Sequence, residues 1–188
     1  AMADQVRAFL ALETPERLRA GLAASREALR AELPRARWVR PESQHLTLKF
    51  LGETPRATLE AIAAALAKRL AGLGVVAVRL HGSGVFPTPG RPRVAWIGGS
   101  ADGIAPVVEA VEEVAEAHGF PRERRPWSLH LTQARLDPPW PHAAVDRFLA
   151  WGSGLELEPF RCAEVVLFES RLERGGAVYT PLARMPLQ

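Results

Sequence analysis

The tripeptide His-Leu-Thr occurs twice in this chain, at residues 45–47 and again at residues 130–132. The sequence has only 5 His in 188 residues, so chance is a weak explanation for the repeat. Both copies lie in stretches typical of β-strands, in which successive side chains point to opposite faces. Each His should therefore share one face with its Thr, while the Leu between them faces the core. The chain must fold so that two strands each present a His-Thr pair.

The elements around the two motifs also follow one another in the same order, which indicates an internal duplication. Strands are predicted at residues 6–13, 38–40, 45–52, 75–80 with an extension at 85–86, 94–97, 127–136, 164–168 and 178–185. Helices are predicted from Thr14 to the stop at Pro34, from Thr54 to Gly72, and over residues 104–118 and 141–150. Thr14 should be the N-cap of the first helix, with Pro15 as its first helical residue.

This order predicts two similar α+β lobes around one cleft. No linker rich in Gly or Ser divides the chain, so we expect a single domain over residues 1–188. Approximate twofold symmetry would bring the two His-Thr pairs together across the cleft. The site would then contain two imidazoles and two hydroxyls around a central point.

Composition excludes few function classes. The chain has 24 basic and 21 acidic residues, a net charge of +3 that permits an anionic ligand without requiring one. Arg122, Arg124 and Arg125 are interpreted as a solvated loop, with an RNA-facing rim as the alternative. The single Cys162 excludes an internal disulfide, and no segment is predicted to be a signal peptide or a membrane span. We therefore expect a cytoplasmic protein that does not contact membranes.

Two histidines and two threonines around one point suit phosphoryl transfer without a metal. In-line displacement at phosphorus needs a base for the attacking oxygen and an acid for the leaving oxygen, on opposite sides. His45 and His130 can serve in both roles, and Thr47 and Thr132 can donate hydrogen bonds to the nonbridging oxygens. Arg135 lies on the face opposite His130 in an ideal strand, but a twist or bulge could bring it to the phosphate.

Other interpretations of the same residues remain open. A single His on a strand is more often structural than catalytic. Two His lack the third protein ligand expected of catalytic zinc, so no metal and no cofactor are predicted. The remaining histidines are interpreted as structural or surface residues, and the large aromatic residues as core or cleft wall, one of which could stack a base. These are His81, His118 and His142, and Trp38, Trp96, Trp127, Trp140 and Phe50.

The paired HLTL and HLTQ resemble the HxTx motifs of the 2H phosphoesterase superfamily. The surrounding text is similar to the bacterial and archaeal RNA 2′,3′-cyclic phosphodiesterases, also called 2′-5′ RNA ligases. The similar segments read FLALETP, RWVRPESQHLTLKFLGET, GVFPTPGRPRVAWIGG, GFPRERRPWSLHLTQARL and VVLFESRL. The resemblance implies an α+β fold, a bilobal internal duplication with two antiparallel β-sheets and flanking helices around a central cleft.

The resemblance also implies residue roles. His45 falls on the family's proton donor to the leaving 3′ oxygen, and His130 on the base that activates water. Thr47, Thr132 and Arg135 fall on positions that hold the phosphate. Two positions depart from the usual pattern, because Leu129 replaces a frequent Pro and Gln133 replaces an apolar residue. Both should lie on the face away from the phosphate.

The activity implied is hydrolysis of a terminal 2′,3′-cyclic phosphate to a 2′-phosphate, with no cofactor. The partners expected are RNA ends or nucleotides bearing such a phosphate, and the protein is expected to act as a monomer. Alternatives within the same fold are ATP-independent 2′-5′ ligation of RNA and cleavage of another cyclic phosphate, such as one derived from ADP-ribose. An alternative from another class is a catalytically idle RNA-binding module.

Overall fold

The computed structural model describes residues 4–188, which form two antiparallel sheets flanked by helices. The strands in this part of the chain are β1 (Gln5–Glu13), β2 (Arg37–Trp38), β3 (His45–Pro55), β4 (Val76–Thr88), β5 (Arg91–Asp102), β6 (Leu131–Arg135), β7 (Phe160–Cys162), β8 (Glu164–Glu173) and β9 (Gly176–Pro186). The helices are α1 (Glu16–Ala31), α2 (Arg56–Leu70), α3 (Ile104–Ala117) and α4 (His142–Ser153). The predicted α+β class with two antiparallel sheets is therefore confirmed.

The strand order places the two motif strands in different sheets. The four-stranded sheet has the order β3-β1-β8-β9, and the five-stranded sheet has the order β2-β6-β5-β4-β7. Strand β3 begins at His45 and lies at one edge of the first sheet. Strand β6 follows His130 directly and is covered at its outer edge only by the two-residue strand β2. The motifs therefore lie at corresponding places in the two sheets.

Helices α1 and α3 each cross to the other sheet: each packs on the sheet that does not contain the strand immediately before it. Helix α1 follows β1 of the four-stranded sheet, yet Leu29 packs against Ala95 and Ala134 of the five-stranded sheet. Helix α3 follows β5 of the five-stranded sheet and contacts β3 and α2 beside the four-stranded sheet. Each sheet is thus covered by helices from both halves of the chain, and one large apolar core joins them.

Several predicted boundaries were wrong. Helix α1 begins at Glu16 rather than at Pro15, and the Thr14 hydroxyl donates to the carbonyl of Gln44 instead of capping the helix. Strand β5 extends over 12 residues instead of four, because it pairs along its length with the 13-residue β4. The short strand β7 was not predicted at all. In the described part of the chain, no helix has the length and apolar character that a membrane span requires.

Candidate active site

A cleft of about 900 Å³ lies between the two sheets and contains both motifs. Its lining includes His45 and Thr47 from the first motif and His130 and Thr132 from the second. Arg135 lines the same cleft from the end of β6. The structure thus brings together all five residues that the sequence singled out.

Strand alternation orients the first motif as predicted. His45 and Thr47 are half-buried and line the cleft, whereas Leu46 is 1% exposed and belongs to the main core. In the second motif, Leu131 is 1% exposed and Thr132 is half-buried. The prediction that a strand covers residues 127–136 was wrong in part, because regular pairing begins only at Leu131. His130 therefore lies immediately before the first residue of β6, where its side chain is exposed to the cleft.

A β-bulge occurs at the fourth position of each motif. Leu10 pairs with Lys49 and Ala11 with Thr47, so Leu48 is the extra residue in β3. In β6, the pairing partners of Ala95 and Trp96 are Ala134 and Thr132, so Gln133 is the extra residue. A bulge shifts the alternation of all following side chains by one residue.

The bulge in β6 explains how Arg135 reaches the cleft. Without the extra residue, its side chain would point to the face opposite Thr132. With it, Arg135 shares the cleft face with Thr132, as the hypothesis of a bulge near the strand end requires. In β3 the same shift brings Phe50 to the cleft face, where 72% of this residue is exposed. The two motif strands therefore share the same bulged backbone, but the residue that follows on the cleft face is the apolar Phe50 in β3 and the cationic Arg135 in β6.

Aromatic side chains enclose the imidazole of His45. Its ring makes edge contacts with Phe168 at 4.6 Å and Tyr179 at 5.6 Å between centroids. The Nδ1 atom is buried and has no hydrogen-bond partner within residues 4–188. Burial lowers the pKa of His45 below its ordinary value. The polar backbone of Ser43 acts to raise this pKa, but the effect of burial is larger. Since Nδ1 is buried, Nε2 is the ring nitrogen left to act in the cleft.

The imidazole of His130 lies over the indole of Trp96. The ring centroids are 4.2 Å apart and the planes are tilted by 32°. Trp96 pairs with Thr132 across the strands, so its side chain shares the cleft face. Partial burial lowers the pKa of His130 as well. Both histidines therefore favour the neutral form more than a histidine in water does.

These shifts predict the pH dependence of turnover. An acid-base pair works only when one histidine is protonated and the other is neutral, and kcat/KM reports the free protein. Because both pKa values lie below the ordinary value, we expect kcat/KM to peak below about pH 6.5 and to fall as pH rises and the donor loses its proton. Trp96→Ala removes the indole that partly covers His130 and should therefore move one limb of the profile to higher pH. A kcat/KM maximum above neutral pH would contradict the role of His45 and His130 as the acid-base pair.

A basic loop over residues 120–128 forms another wall of the cleft and is anchored to the first motif strand. The buried ammonium of Lys49 donates to Glu112 at 3.0 Å, to the Pro121 carbonyl at 2.9 Å and to Glu123 at 3.3 Å. The indole of Trp127 donates to the carbonyl of Thr47 at 2.9 Å. These bonds hold the loop against β3 beside the first motif.

The arginines of this loop differ in whether carboxylates already hold their charges. Arg122 forms ion pairs with Glu109 and Glu116 on α3. Arg124 and Arg125 are exposed and line the cleft. The interpretation of the cluster as a solvated loop is therefore incomplete, because all three arginines line the same space as the histidines. Within residues 4–188, only Arg122 of the three is held in ion pairs.

The polar residue at the end of the second motif belongs to a buried network. Gln133 is fully buried, accepts from Arg26 at 3.1 Å and donates to Gln44 at 2.9 Å. Desolvation, with the nearby Arg30, lowers the pKa of Arg26 to about 10. Leu129 is 7% exposed and packs in the main core. Both departures from the usual motif lie away from the cleft, as expected.

Sequence reasoning missed the two aromatic neighbours of His45. Phe168 and Tyr179 come from β8 and β9, more than a hundred residues further along the chain. Phe168 stands in the segment VVLFESRL noted above, but no local signal indicates that either residue contacts His45. The other histidines are not in the cleft lining, and His118 is bound to the Val114 carbonyl through Nδ1 at 2.8 Å. Within residues 4–188, no group of three or more His, Cys, Asp or Glu side chains could hold a metal ion.

Residues 12–96 match the family model described as LigT like Phosphoesterase. The RNA 2′,3′-cyclic phosphodiesterase of Thermus thermophilus is 36% identical over 194 residues, covering 97% of this chain and 91% of the relative. The chain belongs to this family. The RNA 2′,3′-cyclic phosphodiesterase of Methanothermobacter thermautotrophicus, another member, is 29% identical over 95% of this chain and 97% of its own length.

A solved structure shows that the fold is the same. Escherichia coli LigT complexed with 3′-AMP superposes with a TM-score of 0.74 at 25% identity, covering 98% of this chain and 99% of LigT. The suspected membership of the cyclic phosphodiesterase family is therefore confirmed.

Proposed function

We propose that this protein is an RNA 2′,3′-cyclic phosphodiesterase that opens a terminal 2′,3′-cyclic phosphate to a 2′-phosphate without a metal. The observation that carries the proposal is the presence of both HxTx histidines in one cleft, each beside its threonine. The names of its relatives support it, as does the 3′-AMP bound to the similar E. coli structure. The substrates would be RNA ends or nucleotides bearing the cyclic phosphate.

His130 is the proposed base. Its lowered pKa keeps the imidazole neutral near pH 7, so that it can accept a proton from water. The water oxygen then attacks phosphorus, and the bond between phosphorus and the 3′ oxygen breaks.

His45 is the proposed acid. It donates a proton from Nε2 to the departing 3′ oxygen, which leaves as a hydroxyl, and the phosphate stays on the 2′ oxygen. Protonation of His45 is unfavourable in the empty cleft because its surroundings are aromatic. A phosphate anion nearby favours the charged imidazolium and so raises the pKa of the donor when substrate binds. Exchange of protons with solvent restores both histidines.

Thr47, Thr132 and Arg135 are the proposed phosphate-binding residues. The two hydroxyls can donate to the nonbridging oxygens from opposite sides, and the guanidinium can bind two oxygens at once. Within residues 4–188, Arg135 after the second motif forms no ion pair and lines the cleft. In the first motif Phe50 holds the matching place, and Lys49 beside it is buried in an ion pair with Glu112. This asymmetry would hold the phosphate and ribose in one orientation, with the 3′ oxygen toward His45.

The whole chain is proposed to be one domain of two pseudo-symmetric lobes that acts as a monomer. Apart from the two-residue strand β2, which the first half has between α1 and β3, the order β1, α1, β3, α2 in the first half matches the order β5, α3, β6, α4 in the second. The bulge at the fourth position of each motif supports the same relation.

We predict that Thr47→Val and Thr132→Val each slow turnover while the fold is kept. Valine has a similar shape but lacks the donor, and the loss of one donor to a charged oxygen costs roughly 2.7–4 kcal/mol in comparable sites. Steady-state kinetics on a nucleoside 2′,3′-cyclic phosphate would measure the effect. The matched control is Thr180→Val, on an exposed position of β9. Normal turnover in both motif variants would mean that these hydroxyls do not touch the phosphate.

The product isomer tests the proposed function directly. A nucleoside 2′,3′-cyclic phosphate should give the 2′-phosphate, identified by chromatography against both isomer standards, and the rate should be the same with EDTA present. A predominantly 3′-phosphate product would reverse the orientation of the ribose and the assignment of acid and base. No turnover, combined with RNA binding, would favour the idle binding module. Loss of activity in EDTA that zinc or manganese restores would overturn the metal-free mechanism.

A further inference from the structure

A second cavity of about 400 Å³ lies next to the cleft, at the β2 edge of the five-stranded sheet. We call it the edge cavity, and its chemically notable residues are Arg37, Phe86, Arg93, Arg135 and Asp137. Arg135 also lines the cleft, so the two spaces meet at this side chain. The edge cavity is therefore a continuation of the proposed phosphate site rather than a separate pocket.

The register of four strands builds the edge cavity. Arg37 of β2 lies opposite Arg135 of β6, which lies opposite Val94 of β5, which lies opposite Phe86 of β4. Residues directly opposite in a sheet have side chains on the same face. This row of four therefore lies on the cleft face, which also carries Thr132.

A further bulge adds another cation to the row. The partners of Phe86 and Pro87 are Val94 and Pro92, which leaves Arg93 as the extra residue in β5. Regular alternation would turn Arg93 to the helix-covered face, whereas the bulge lets it line the edge cavity.

The charges of the edge cavity favour an anion. It contains three arginines and one carboxylate, Asp137, which gives a formal charge of +2. Among residues 4–188, Arg37, Arg93 and Arg135 form no ion pair within 4 Å. The guanidinium groups are therefore available to phosphate oxygens, which they bind in a fork geometry.

The edge cavity also contains an exposed aromatic ring. Phe86 is 49% exposed, although a residue of this size and polarity is normally buried. A ring beside uncompensated arginines is the combination by which proteins bind single-stranded nucleic acid, with bases stacked on the ring and phosphates held by the cations.

We propose that the edge cavity binds the nucleotide immediately 5′ to the terminal cyclic phosphate of a single-stranded RNA. This inference rests on the proposed function. A cyclic phosphate closes the 3′ end of an RNA, so the rest of the chain can leave the site only on the 5′ side. Arg37 and Arg93 hold the upstream phosphodiester, and Phe86 stacks the upstream base. The protein therefore prefers an oligonucleotide end to a cyclic mononucleotide.

A comparison of two substrates tests this inference. We would measure kcat/KM for adenosine 2′,3′-cyclic phosphate and for a triadenylate that ends in a 2′,3′-cyclic phosphate. The unmodified protein should prefer the triadenylate. Arg37→Gln with Arg93→Gln, and separately Phe86→Leu, should each reduce kcat/KM for the triadenylate by about tenfold, since stacking and phosphate contacts carry such binding. The values for the mononucleotide should stay unchanged.

The salt dependence gives a second readout that a change in folding would not produce. The slope of log kcat/KM against log salt for the triadenylate should become less steep by about 0.7 for each phosphate contact removed. The mononucleotide slope should not change in these variants. Arg56→Gln, at an exposed position of α2 outside both cavities, is the matched control and should behave as the unmodified protein with both substrates.

The basic loop on the other wall of the cleft offers an alternative surface for the upstream RNA. If Arg124→Gln with Arg125→Gln removes the preference for the triadenylate, while the edge-cavity variants keep it, the RNA leaves over the basic loop and the inference is wrong. Equal kcat/KM for both substrates in the unmodified protein would also overturn it, and would leave the proposed function intact. Failure to open either substrate would count against the proposed function itself.

Discussion

His45→Ala and His130→Ala are each expected to lower turnover of a 2′,3′-cyclic phosphate by about 10²–10⁴-fold, the range for loss of one proton-transfer group. Each substitution removes one end of the proposed proton path, and within residues 4–188 no other histidine lines the cleft. The two groups act in one transition state, so the double variant should be worse than either single variant by less than the product of their effects.

The pH profile separates the two roles. In each single variant, the limb of the profile that belongs to the removed histidine should disappear while the other limb remains. His81→Ala is the matched control, because His81 is exposed on β4 and does not line the cleft. A single variant with near-normal turnover would show that its histidine does not transfer a proton.

Lys49→Met is expected to cost about 3–5 kcal/mol of unfolding free energy, the range for breaking a buried ion pair by removing one partner. Methionine fills a similar volume, but the carboxylate of Glu112 keeps its buried position without the ammonium that bonds to both of its oxygens at 3.0 and 3.3 Å. The exposed fractions of the two side chains are 2% and 10%. Urea unfolding followed by circular dichroism would measure the loss.

The double variant Lys49→Met with Glu112→Leu removes both charges and should recover much of the loss, because a buried pair is often replaceable by apolar residues. The matched control is Arg17→Met, which breaks the exposed pair with Glu158 and should change stability little. A loss in Lys49→Met as small as that of the control would mean that the buried pair contributes little. KM should also rise in Lys49→Met, since the ammonium holds the loop that walls the cleft.

The sequence pattern was sufficient for the parts of the site that depend on local alternation. His45 and Thr47 face the cleft, and Leu46 faces the core, as a period of two residues requires. The bulges could not be predicted in this way, because a bulge breaks the period that the prediction assumes. Lys49 illustrates the difficulty: a charged residue after Leu48 indicates a solvent face, whereas the bulge buries both.

Contacts between distant segments account for the other differences. Thr14 and Pro15 have the pattern of a helix start, but tertiary structure uses the Thr14 hydroxyl to bind the Gln44 carbonyl. The aromatic enclosure of His45 depends on β8 pairing with β1, which no local signal specifies. The length of β5 likewise depends on its partner β4. Propensity describes each segment alone, and these features arise only when segments meet.

The exchange of α1 and α3 between the sheets limits how the cleft can change. Two halves joined by a simple linker could close around a substrate like a hinge. Each binding event would then cost the entropy of fixing one half against the other. Here Arg26 of α1 bonds to Gln133 behind the second motif, while Lys49 of β3 bonds to Glu112 of α3 behind the first. Each wall is thus fastened to the opposite half of the chain. The proposed catalytic groups are thereby held in place, so binding free energy can go to orienting the phosphate rather than to assembling the site.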